Sequence, residues 1–108
     1  MRERVAAEHR ALPAMIAVAM VVSDSLEARE EDYAATMMGI ENLSLAAVEL
    51  GLGTAIRTGA VMADPAARAA AGVAENERIV AIVNVGAPAE TPGGPKKTPA
   101  SEYTRWIS

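Results

Sequence analysis

The sequence predicts a domain of interleaved helices and strands, in the order α-β-α-β-α-β, followed by an extended tail. Three observations predict it. Two short apolar runs, Ala14 to Val22 and Arg78 to Val85, have strand length and are rich in β-branched residues. Between them, Asp32 to Leu50 repeats its apolar residues at helical spacing. From Glu90 onward, proline, glycine and polar residues replace any such pattern.

Each element has its own signal. Arg2 to Leu12 reads as the end of a helix that Pro13 closes. "AMIAVAMVV", from Ala14, is apolar without interruption, which predicts a strand buried on both faces. "SDSLEAREED", from Ser23, reads as a polar connection. Tyr33, Met37, Ile40, Leu43, Ala47 and Leu50 then form one helical stripe, and Gly51 is a natural terminator. Thr54 to Arg57 is a short strand. Asp64-Pro65 supplies a cap and a proline at the first helical position, opening a short helix over Pro65 to Ala71 that Gly72 ends. "RIVAIVNV", Arg78 to Val85, is a second buried strand, stopped by Gly86-Ala87-Pro88. Residues 1–90 thus form the domain and 91–108 the tail. The tail cannot build a core, yet it carries Tyr103, Trp106 and Ile107, which predicts docking, with another subunit as one candidate surface.

Composition narrows the function. At 108 residues, with 51% hydrophobic and 22% charged residues, the chain is one small globular domain. It has no Phe, and alanine carries much of the apolar count. Burial at about 25 cal/mol per Å² therefore gives a thin core, and the chain is expected to lean on a partner subunit. A net charge of −4 disfavours nucleic acid and anionic lipid. The absence of cysteine excludes disulfides and thiolate metal sites and fits a reducing cytoplasm. His9 alone cannot make a histidine cluster, and no carboxylates cluster across elements as an acid/base pair or hard-metal site. Ser23, Ser25, Ser44 and Ser101 lack a nucleophile elbow. The apolar run Ala14 to Val22 is too short to span a bilayer, and no signal peptide is visible. The methionines read as core filler, and Asn42 as a structural hydrogen bonder inside the long helix.

The stretch "ELGLGTAIRTGAV", Glu49 to Val61, sets a cation and a hydroxyl between glycines just past the long helix. Arg57 offers a fixed fork of donors and a permanent charge, Thr58 a hydroxyl, and Gly59 close backbone approach. The alternative for Arg57 is an edge-strand arginine paired with a nearby glutamate. Gly51 and Gly53 fit helix termination and a tight turn, or backbone approach to a cofactor. They are no dinucleotide fingerprint, because they follow a helix rather than a strand. Lys96 and Lys97 are either solvated tail charges or phosphate ligands.

The segments "NLSLAAVELGLGTAIRTGAV" (Asn42 to Val61), "DPAARAAAGVAENERIVAIVNVGAPAE" (Asp64 to Glu90) and "PKKTPASEYTRW" (Pro95 to Trp106), in this order, resemble the C-terminal half of the FMN-dependent nitroreductase family. The resemblance runs from about Leu12 to Trp106. It implies an α+β fold: a mixed β-sheet of about three strands flanked by helices, a long central helix in a homodimer core, and a C-terminal tail wrapping the partner. It implies FMN at the dimer interface, passing hydride from NAD(P)H to a nitroaromatic, quinone or similar acceptor, with no protein nucleophile. On this resemblance Ile56, Arg57, Thr58 and Gly59 contact FMN, Lys96 and Lys97 reach its phosphate, Gly51 and Gly53 approach the cofactor, and Ala46 to Gly51 border the nicotinamide. Two departures stand out. An aromatic residue is frequent where Ile56 sits, and an N-terminal Arg-x-Ser-x-Arg-type motif has no counterpart here. The resemblance therefore implies a truncated member, with a catalytically inactive α+β dimerisation module or a partial gene product as the alternative.

Overall fold

The computed structural model describes residues 14–90 and 93–108. The helix expected over residues 2–12, and His9, lie outside the described residues. In chain order the elements are strand β1 (Ala14–Val21), helix α1 (Leu26–Glu49), strand β2 (Gly53–Arg57), a 3-10 turn (Ala60–Ala63), helix α2 (Pro65–Ala70) and strand β3 (Glu77–Gly86). A second 3-10 turn, Ala100–Glu102, interrupts the tail. The architecture is α+β, with three strands as expected.

The sheet order is β1-β3-β2, and both outer strands run antiparallel to β3. The pairing is thus antiparallel throughout rather than mixed. β1 and β2 share a direction and are joined through α1, but β3 lies between them, so no parallel ladder forms. β3 is the central strand, and Ile79 to Asn84 are all buried, as its apolar run predicts. β1 departs from expectation. Only Met20 is buried, while Met15, Ile16 and Val21 are exposed. Uninterrupted apolarity does not distinguish an edge strand from a central one, and among the described strands β1 pairs on one side only.

A bulge shapes the core. Val18 pairs with Ala81 and Ala19 with Ile79, which leaves Val80 as the extra residue on β3. Val80 and Ala81 then join the same cluster as Val83, Met20 and Ile40 of α1, flanked by Val18, Met37, Leu43 and Val85. This cluster marks the sheet face that α1 covers. Ile79, Ile82 and Asn84 are buried but lie outside the cluster, on the opposite face.

α1 begins at Leu26, earlier than the apolar stripe indicates. The Ser25 side chain accepts a hydrogen bond from the Ala28 N–H at 3.3 Å, and Glu27 sits in the first turn. These first turns lie mostly in solvent, so no apolar periodicity marks them. The C-terminus closes as a Schellman motif: Leu52 N–H donates to Ala47 O at 2.8 Å and Gly51 N–H to Val48 O at 3.0 Å, with Gly51 at φ 76°. Within α1 only Ile40 and Ala47 are buried. Asn42 is exposed rather than a hydrogen bonder in the core.

α2 starts as its sequence predicts, with Pro65 in the first turn and the Asp64 carboxylate accepting from Ala67 N–H at 3.1 Å. Arg68 of α2 donates from Nη2 to Ala74 O at 2.9 Å and Glu77 O at 2.8 Å, and Glu77 Oε1 accepts from Ala74 N–H at 2.8 Å. This clasp fixes the entry into β3. Beside it, the Arg78 guanidinium carbon lies 5.2 Å from the Tyr33 ring centroid and ties β3 to α1.

Candidate functional site

The candidate site is built on the end of β2 and the turn that follows. The Schellman cap at Gly51 turns the chain out of α1 and directly into β2. Gly53 pairs with Gly86, and a Cβ at Gly53 would stand 3.3 Å from Pro88 Cβ. The close approach at Gly53 is therefore to Pro88, the residue that stops β3. These two glycines and the proline hold the start of β2 against the end of β3.

Register then assigns the side chains to faces. Ile56 pairs with Val83, so it lies on the face covered by α1, where it remains 45% exposed. Arg57 pairs with Ile82, so it lies on the opposite face, which it shares with Asn84 and Asn84's partners Ala55 and Met15. Arg57 is exposed, and its guanidinium makes no ion pair or hydrogen bond among the described residues. The pairing with a neighbouring glutamate that would make it a plain edge-strand arginine is absent there.

Thr58 and Gly59 follow the strand, both exposed. Gly59 has φ 126° and ψ −165°, a conformation open only to glycine, and no atom lies within 4 Å of where its Cβ would stand. Met62 N–H donates to Gly59 O at 3.2 Å, so this glycine launches the 3-10 turn Ala60–Ala63. The strand, the extended glycine and the turn thus present Arg57 and Thr58 on a stretch open to solvent.

Lys96 and Lys97 are exposed in the tail and make no hydrogen bond or ion pair among the described residues. Tyr103, Trp106 and Ile107 are exposed as well, Trp106 at 91%. Within this chain the described tail therefore docks on nothing through these three side chains. Ile56, Arg57, Thr58 and Gly59 are consecutive and exposed, but Ile56 opens on the face that α1 covers and Arg57 on the opposite one, with Gly51 and Gly53 as the structural root of the strand.

One buried polar residue escaped the sequence reading. Asn84 is 7% exposed, and its Oδ1 has no hydrogen-bond partner among the described residues. The signal was present as the single polar residue inside "RIVAIVNV". Among the described residues no helix is long and apolar enough to cross a membrane, and no group of His, Cys, Asp or Glu could hold a metal ion.

Known proteins agree with this architecture. The Putative NAD(P)H nitroreductase YfhC of Bacillus subtilis is 36% identical over 88 residues, which is 82% of this chain and 45% of YfhC. A nitroreductase-like family protein from Bacillus cereus superposes with a TM-score of 0.85 at 31% identity, covering 97% of this chain and 56% of that one. A BluB-like flavoprotein from Clostridium difficile shares the fold, with a TM-score of 0.69 at 21% identity over 99% of this chain and 62% of its own length. The chain thus spans about half the length of the relatives it matches. The sequence pattern of the Nitroreductase family matches residues 6–87, which include α1, the whole β2 surface and β3, and the chain belongs to that family.

Proposed function

We propose that this chain supplies part of the flavin site of an FMN-dependent oxidoreductase that takes hydride from NAD(P)H and passes it to a nitroaromatic, quinone or similar acceptor. The observation that carries this reading is Arg57: an exposed guanidinium without an ion pair among the described residues, next to a glycine-only backbone, inside the family match. The residues fit an anionic, planar ligand. Arg57 offers a fork of donors for a phosphate or for negative charge on a ring. Thr58 adds a hydroxyl, and the open space at Gly59 admits close backbone approach. Ile56 lies beside them on the other face, and Gly51 and Gly53 hold the strand in place. Lys96 and Lys97, exposed and unpaired among the described residues, suit the phosphate. Bound FMN would carry the hydride chemistry, while the chain orients it and balances its charge.

The reading includes a homodimer in the cytoplasm. Leu26, Met38, Leu45, Val48 and Leu50 are exposed at one helix and its cap, and Trp106 and Ile107 are exposed in the tail, which together favour an apolar interface. FMN titration combined with a mass measurement in solution tests it. A dimer that acquires visible flavin absorbance supports the reading. A dimer that takes up no FMN would instead identify a dimerisation module.

A further inference from the structure

We propose that Asn84 is a positioning residue for Arg57: its Oδ1 accepts a hydrogen bond from the Arg57 guanidinium and fixes the direction of the donor fork. Two unmatched groups meet on one sheet face. Among the described residues, Asn84 Oδ1 is a buried acceptor without a donor, and Arg57 is a donor-only side chain without an acceptor. Ala55 pairs with Asn84 and Arg57 with Ile82, so the two residues are diagonal neighbours across β2 and β3. A diagonal pair on one face is within reach of a long side chain.

The competing charges are committed elsewhere. Among the described residues of the sheet, Arg57 is the one cation on this face, since Arg78 packs over Tyr33 on the other. Glu77 lies at the far end of β3, with its Oε1 taken by Ala74 N–H. Arg68 is held by Ala74 O and Glu77 O, and Asp64 caps α2. A buried acceptor left unmatched is destabilising, and a guanidinium closing on it removes that penalty. An exposed arginine exchanges rotamers on a nanosecond scale, so an anionic ligand would select the closed one and find the fork already aimed.

This inference rests on the reading that Arg57 meets the flavin, and the test separates the two. Asn84→Asp places a carboxyl at the same position, and its titration is followed by NMR without flavin. A carboxyl that Arg57 reaches titrates below the ordinary carboxylate range, and adding Arg57→Ala raises it. A buried carboxyl with no cation titrates above that range in both variants, which overturns the pairing. If Asn84→Asp does not fold, hydrogen exchange at Arg57 Nε in the unsubstituted chain and in Asn84→Ala decides the matter. Slower exchange with Asn84 present supports the pair, and equal exchange overturns it.

FMN titration is the second arm. Asn84→Ala weakens binding roughly tenfold when Arg57 is present and has no further effect on Arg57→Ala. Equal effects in both backgrounds assign Asn84 a structural role only and overturn the proposal. FMN affinity unchanged by Arg57→Ala would sink the site reading, while the carboxyl titration of Asn84→Asp still judges the pair.

Discussion

Arg57 and Gly59 carry the proposed site at the level of single residues, and they do so for different reasons. Arg57 makes no hydrogen bond or ion pair among the described residues, so it adds to the stability of the fold only through the closed rotamer in which it meets Asn84 Oδ1. Arg57→Ala should therefore cost about 1 kcal/mol, a fall of about 4–8 °C in melting temperature, while weakening FMN affinity roughly tenfold, the loss expected for a charge-assisted hydrogen bond. A calorimetric scan beside a flavin titration checks both halves. Gly59 is the reverse case. Its φ of 126° lies where a Cβ is strained, yet the space around that Cβ is open. Gly59→Ala should cost about 1–3 kcal/mol in denaturant unfolding, through backbone strain alone. The strand end at Arg57 and the glycine-only backbone at Gly59 were legible in the sequence, since a glycine-flanked arginine is a local pattern, and their part in a flavin site is the proposal. Asn84 was not, because its interest lies in being buried and unmatched, and both properties depend on strands far apart in the chain.

Secondary elements show the same division between local and distant causes. The stop of α1 at Gly51 and the start of α2 at Asp64-Pro65 were readable, because caps are made by residues within one turn. The start of α1 was not. Ser25 caps a first turn that faces solvent, and solvent-facing turns carry no apolar stripe. Ser25→Ala should cost about 1 kcal/mol, measurable as a shift in the denaturant midpoint. The edge position of β1 was unreadable for a different reason. Strand order is decided by which strand fills the middle: β3 is the longest at ten residues, against eight in β1 and five in β2, but its apolar run is shorter than that of β1, so apolarity along the sequence does not reveal the order. The joint between α1 and the sheet depends on Ile40, which is 2% exposed and central to the core cluster. Ile40→Ala should cost about 2–5 kcal/mol. In a domain with so little large apolar volume, that loss would leave most of the chain unfolded, visible as collapse of the far-UV signal at ordinary temperature.

At the scale of the molecule the chain exposes far more surface than a compact domain of its size. Its accessible area is 8556 Å², whereas a compact monomer of 11.2 kDa exposes about 5,700 Å². Its radius of gyration is 16.9 Å, against about 13 Å for a compact chain of this length. The surplus is at least as large as the share that each protomer buries in an obligate dimer, about 1,000–2,500 Å². It coincides with the unpacked apolar side chains of α1 and with Trp106. Association should therefore govern stability, and the melting temperature should climb with protein concentration, as mass action requires when only the folded state associates. Trp106 is the chain's one tryptophan, so its fluorescence reports on the tail alone. At high dilution its emission should match a solvated indole, in keeping with its exposure here. As concentration rises the emission should move to the blue, in step with a doubling of mass by sedimentation, and Trp106→Ala should weaken the association. Emission that stays solvated across a mass that does double would place the interface on α1 without the tail. A mass that never doubles would remove the homodimer from the proposed function, and with it the apolar interface assigned to α1 and Trp106.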